Sequence, residues 1–156
     1  MRADDSVAVE WIPVRVMVPD AAAHEFDDVP GANFYRNVYD SIADSAGNPR
    51  CNTPPERPKW GDLTWAGTTP GASTIEFQIR TAGTTGELPT AIPAVVVIPT
   101  DTNSRTFNLT EELIADGQFW GLPYIQITAV LNATNSPPQS PTLEGWSFEF
   151  VCEAAE

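Results

Sequence analysis

The chain is poor in the residues that carry most protein chemistry. Its 156 residues include one histidine, two cysteines and two methionines. A serine, threonine or cysteine nucleophile needs a base beside it. His24 stands in an Ala-Ala-Ala-His-Glu context with no Gly-x-Ser-x-Gly elbow anywhere, so it reads as a surface residue. Paired carboxylates could hydrolyse glycosides, but Glu76, Glu144 and Glu149 fall on strand patterns. Glu149 alternates with Trp146, Phe148 and Phe150 and so faces solvent if the aromatics face inward. No catalytic residue is assigned, and the chain is expected not to be an enzyme.

Positive charge is equally scarce. Eight Lys and Arg stand against 21 Asp and Glu, a net charge of −13. A field of that sign repels nucleic acid and anionic membrane. No apolar run reaches the ~20 residues of a membrane helix. The start, Met1-Arg-Ala-Asp-Asp-Ser6, lacks the apolar core of a secretory signal. Cys51 and Cys152 form no CxxC pair and are too few for zinc. Asp27, Asp28, Asp40, Asp44 and Asp101 lie in expected loops and could offer oxygen to calcium, but EF-hand spacing is missing. No metal or other cofactor is assigned, with calcium the open alternative.

Strand patterns, by contrast, are plentiful. Val7–Val18 is rich in β-branched residues, with Val14, Val16 and Val18 alternating and Pro13 marking an edge or a bulge. A short strand is expected around Phe34–Asp40, and another at Trp60–Ala66. Thr68-Thr-Pro-Gly71 reads as a turn. Ser73–Ala82 alternates cleanly, with Ile75, Phe77 and Ile79 inward. Gly83–Gly86 reads as a loop, and Ala94–Ile98 as a short apolar strand. Asn108–Gly117 has the marks of one short helix: an Asn cap, Glu111 three residues on, and a Gly stop. Tyr124–Leu131 and Pro141–Phe150 close the chain as strands, with Cys152 just past the second. The 15 prolines cluster at predicted strand ends. The expected fold is all-β: a jelly-roll-like antiparallel β-sandwich with one short helix, a single domain over 1–156 with an irregular insertion at 21–58.

The block 60–152 resembles a family of jelly-roll, galactose-binding-like domains found in bacterial cell-surface proteins and phage tail or virion proteins. The resemblance rests on Trp60-Gly-Asp-Leu-Thr-Trp65, Thr69–Ile75, Phe77–Ala82, Tyr124–Leu131 and Ser140–Trp146 in that order. It implies a non-catalytic module in which these residues are architectural, and it supplies no binding residue.

Three functions remain in play. The first is a structural or adhesion module of a bacterial cell-surface or extracellular assembly, with protein partners or copies of itself. Its candidate assembly strand carries Val14, Val16 and Val18, although completion of its own sandwich is the simpler role for that strand. The second is a carbohydrate-binding module that meets a glycan through loop aromatics. Trp120 and Tyr124 are the candidate ligand-binding residues, against the commoner fate of core packing. The third is a virion or tail component. Trp60 and Trp65, five apart on one strand, are expected on opposite faces. Asn108-Leu-Thr110 and Asn132-Ala-Thr134 match the glycosylation pattern, but Asn108 is already explained as a helix cap. A Cys51–Cys152 disulfide is expected, which places maturation in an oxidising, extracellular or cell-surface setting.

Overall fold

The computed structural model describes residues 12–17, 25–26, 32–42, 51, 56–98, 102–135 and 138–154. In chain order the elements are β1 (Ile12–Met17), β2 (Glu25–Phe26), β3 (Ala32–Asp40), β4 (Glu56–Thr69) and β5 (Thr74–Ala82). A 3-10 turn at Thr85–Thr90 follows, then β6 (Ala94–Ile98), β7 (Thr102–Asn108) and the helix α1 (Leu109–Ala115). β8 (Tyr124–Asn132), the short pair β9 (Thr134–Asn135) and β10 (Pro138–Gln139), and β11 (Thr142–Ala154) complete the chain.

Two antiparallel sheets pack face to face. One runs β1-β11-β4-β7 and the other β2-β3-β8-β5-β6. Without the two-residue β2, β9 and β10, eight strands remain. Their orders are first-eighth-third-sixth and second-seventh-fourth-fifth, the interleaved arrangement of a jelly roll. The two closing strand patterns of the sequence are therefore not partners: β8 and β11 belong to opposite sheets, and the chain crosses between them through β9 and β10.

Strict alternation fills the core where it operates. Ile75, Phe77 and Ile79 of β5 and Ile125, Ile127 and Ala129 of β8 are fully buried. β4 breaks the alternation. Trp60 and Trp65 were expected on opposite faces, yet both are fully buried. The reason is a β-bulge: Trp60 faces Phe150 and Leu63 faces Phe148, so three residues of β4 span two of β11. The extra residue reverses the phase and turns both indoles inward. β11 carries its own irregularity. Leu143 faces Gly67 and Gly145 faces Ala66, which brings Leu143 onto the same buried face as Trp146, Phe148 and Phe150. Gly67 passes so close to Thr142 that a Cβ there would collide with the Thr142 carbonyl.

The aromatic rings join the two sheets. Phe77 of β5 meets Trp65 and Trp146, each at 6.2 Å between centroids, and Phe107 of β7 at 5.4 Å. Tyr39 of β3 meets Phe148 edge-on at 4.7 Å and accepts a hydrogen bond from Trp146 Nε1 at 2.9 Å. Each such ring pair adds roughly 0.5–1.5 kcal/mol beyond its buried area.

Three local expectations need correction. The stretch expected as a loop at Gly83–Gly86 runs into the 3-10 turn, where Thr84 and Glu87 form a reciprocal cap. β7 carried no strand signal strong enough to be read, because Thr102-Asn-Ser-Arg-Thr-Phe-Asn108 is polar and supplies a sheet edge. β11 runs to Ala154, so Cys152 lies within the last strand rather than past it. The helix matches its signals: Asn108 Oδ1 accepts from Glu111 N at 3.0 Å, and Gly117 ends it with φ 71°. The turn after β4 forms at Pro70–Ser73, where the Ser73 backbone N–H and hydroxyl both donate to the Pro70 carbonyl.

Burial raises the Tyr39 pKa strongly, against a smaller lowering by the Trp146 hydrogen bond. The folded state therefore favours the neutral phenol. That contribution is complete below the unfolded tyrosine pKa of about 10 and is lost as pH rises above it. Denaturant unfolding followed from pH 8 to 11 should show stability falling at the alkaline end. Tyr39→Phe should flatten this fall and cost about 1–3 kcal/mol at neutral pH by orphaning the indole N–H. An identical alkaline slope in the variant would count against Tyr39 as its source.

Candidate functional site

Cys51 and Cys152 are bridged, with 5.2 Å between their Cα atoms. The bond ties the segment before β4 to the end of β11. Closing a loop of this length is worth up to about 4.7 kcal/mol in the chain-entropy model. Both cysteines adjoin the aromatic core. The Cys51 N–H donates to the Ser41 carbonyl, and Ser41 in turn donates from its N–H and hydroxyl to the Pro123 carbonyl. One end of the sandwich is thus fastened covalently and by hydrogen bonds.

The Trp120 loop lies at this fastened end. Phe119 and Trp120 stack with centroids 6.2 Å apart and planes 23° apart. Arg57 of β4 places its guanidinium 4.8 Å from the Trp120 ring and 5.8 Å from that of Phe119. Such contacts are worth about 0.5–1 kcal/mol when exposed. Arg57 Nε is buried with no hydrogen-bond partner. Gly121 permits the approach, because a Cβ there would stand 2.8 Å from Arg57 Cδ. Thr81 Oγ1 donates to the Phe119 carbonyl at 2.9 Å and fixes the loop to β5.

The two residues singled out from sequence separate. Trp120 packs partly buried against the core, while Phe119, which the sequence reading passed over, is 53% exposed. Tyr124 opens β8 opposite Asp40 and Ala82. It alternates with Ile125, Ile127 and Ala129, and so shares the outer face of the five-stranded sheet with Gln126 and Thr128. The signal that could have found Phe119 is the helix stop at Gly117: a large apolar residue two positions past it needs a hydrophobic neighbour or stays in solvent.

A shallow groove of about 380 Å³ crosses the outer face of the other sheet, lined by Asp62, Thr64, Thr106, Ser147, Phe148 and Glu149. Several of its polar groups satisfy one another. Thr64 and Thr106 share a hydrogen bond of 2.8 Å, and the Asn108 amide donates to Asp62 at 2.8 Å. Glu149 faces solvent as expected.

Of the expected oxygen donors, Asp40 is exposed and accepts from the Ile42 N–H. His24, Asp27, Asp28, Asp44 and Asp101 lie outside the described residues, as does Val18. Among the described residues no three His, Cys, Asp or Glu side chains gather as metal ligands, and no helix is long and apolar enough to cross a membrane. Val14 and Val16 fall on β1, which pairs with β11 through Val14↔Phe148 and Val16↔Trp146. The strand therefore completes its own sandwich. It does so at the rim of the sheet, with no second strand beside it among the described residues.

Comparison of the chain with protein-family models gives no match, and comparison with curated proteins gives none either.

At the rim of the five-stranded sheet, β6 carries an obstruction. Its outward Val95 and Val97 are 43% and 56% exposed, and an apolar edge of this kind invites pairing with another chain. Asp116, which ends α1, takes the Val95 N–H at 2.9 Å through Oδ2 and sets a carboxylate on the edge. Asp116→Ala should therefore increase self-association, read as concentration-dependent growth of the sedimentation coefficient. A variant that sediments as the parent at every attainable concentration would refute the blocking role.

Proposed function

We propose that the chain is a non-catalytic structural or adhesion module of a cell-surface or extracellular assembly. The observation that carries this reading is the position of β1, paired with β11 on one flank and placed at the sheet rim. An edge strand is a ready template for strand addition from a neighbouring subunit. The bridged cysteines support an oxidising site of maturation. The jelly-roll order is compatible with the galactose-binding-like domains that the 60–152 block resembles, and jelly rolls serve in both lectins and virus shells. A virion or tail role draws on the same architecture. The disulfide weighs toward the exported alternative.

Assembly through β1 is tested by electron microscopy and sedimentation of the parent and Val16→Pro, which removes one strand N–H. The parent should form particles or filaments, or associate reversibly, and the variant should disperse while keeping its melting transition. A parent that stays monomeric under all conditions would overturn the assembly reading.

The second reading, a glycan-binding module, is favoured by the exposed Phe119 ring stacked on Trp120 beside Arg57. An aromatic platform with a cation at its rim suits the apolar face of a sugar ring. Glycans that bind there should quench Trp fluorescence in the parent and fail to do so in Phe119→Ala. Quenching that is equal in both would remove the loop from consideration.

A further inference from the structure

β6 ends the five-stranded sheet, and among the described strands it pairs with β5 only. Its Ala94 and Ile98 point into the core, while Val95 and Val97 stand exposed on the other face. The Val95 N–H points away from β5, since Asp116 Oδ2 takes it. Backbone groups along an antiparallel strand repeat their direction every second residue. The Val97 N–H and the Val95 and Val97 carbonyls therefore face the open edge too, with no strand beside them among the described residues. An added strand would find one free donor and two acceptors there.

The surroundings of this edge are apolar. Ile92, just before β6, and Ile114 on α1 are 70% and 56% exposed, and α1 packs beside β6. Seven large apolar side chains are exposed among the described residues. Four of them, Ile92, Val95, Val97 and Ile114, thus lie on β6, on the segment leading into it or on the helix beside it.

Charge decides what such an edge can accept. Asp116 caps α1, whose last turn holds no basic residue. A carboxylate at a helix C-terminus meets the negative end of the dipole. Glu112 stands one turn before it, its carbonyl accepting the Asp116 N–H, and like charges at that spacing repel. Glu76 lies opposite Val97 in register. Arg80 of β5 is engaged by the Ala91 carbonyl and by Gln78. The edge is therefore acidic as well as apolar. It repels a second copy of a chain whose net charge is −13. A cation that takes over the Asp116 carboxylate would free the Val95 N–H for a ladder.

We propose that β6 is the docking edge for an extended segment of another protein in which apolar residues alternate with lysine or arginine. The apolar residues pack on Val95 and Val97, and a basic residue draws Asp116 away from the Val95 N–H. Asp116 is then a gate that rejects acidic strands and admits basic ones. β6 and β1 belong to different sheets, so this docking does not depend on assembly through β1.

The test uses the full chain, at concentrations where it sediments as a monomer. Its probe is the fluorophore-labelled peptide acetyl-Thr-Val-Lys-Val-Lys-Val-Thr-amide, with a counterpart carrying Glu for both Lys. Anisotropy should show saturable binding of the Lys peptide, weakened by added salt, and binding at least about tenfold weaker for the Glu peptide. Amide NMR shifts should centre on residues 95–97 and 116. Val97→Pro removes the free edge N–H without touching the ladder to β5 and should weaken the Lys peptide by about tenfold or more. Asp116→Asn should bring the two peptides to within about threefold of each other. No saturable binding, equal affinity of the two peptides for the parent, or undiminished binding to Val97→Pro would each overturn the proposal. So would concentration-dependent shifts at 95–97 in the parent alone, which would make a second copy the occupant. If Val97→Pro does not fold, the Asp116→Asn comparison and the location of the shifts decide.

Discussion

The pairing of β4 with β11 is the constraint on which the rest of the structure depends. These are the two longest strands, joined from Glu56–Ala154 at one end to Thr68–Thr142 at the other. They lie side by side in the middle of their sheet. The two irregularities in their ladder decide which side chains reach the interior. Without the bulge after Trp60, a strand of this length would send one indole to solvent and leave a hole behind the other. With it, Trp60, Leu63, Trp65, Trp146, Phe148 and Phe150 form a single inner wall. The indole N–H groups of Trp60 and Trp65 find no partner there. Each such orphan costs roughly 1–3 kcal/mol, while burying an aromatic side chain yields about as much or more. Shape therefore outweighs polarity at this wall, and the opposite sheet presents Phe77 to fill it.

Alternation made the regular strands legible. Ser73–Ala82, Tyr124–Leu131 and Pro141–Phe150 each showed the period of two, and each is a strand whose inner face is apolar. The same logic failed at Trp60 and Trp65 because it assumes constant phase, and a bulge is an insertion of one residue that leaves no mark in hydropathy. It also failed at β7, whose Arg105 and Thr106 are both exposed although they point to opposite faces, and whose Phe107 packs against the core. Helix α1 was legible because its cap, its first-turn acids and its glycine stop are local. The disulfide could be expected from where the two cysteines fall along the chain, but the place of Cys152 inside β11 could not.

The candidate sites were less legible than the frame. Trp120 and Tyr124 are four residues apart in sequence, yet Trp120 packs against the core from a loop while Tyr124 opens β8 on the outer face of its sheet. Val95 and Val97 read as part of a short apolar strand. Their exposure comes from the place of β6 at the end of its sheet, so it is a property of the sheet and not of the segment. Asp116 and Val95 meet only through the packing of α1 beside β6. Long-range pairing, which a single sequence does not display, thus assembles the open edge.

The bridge between Cys51 and Cys152 closes a covalent ring that contains β4 through the last cysteine of β11. Three members of the four-stranded sheet, β4, β7 and β11, belong to that ring, and β1 does not. A pulling force applied across the ring is carried by the sulfur–sulfur bond before it reaches the core. β1 lies outside it, and among the described strands it pairs with β11 only. It is the one strand of that sheet that can be peeled away and exchanged for its counterpart from another molecule while the covalent ring stays closed.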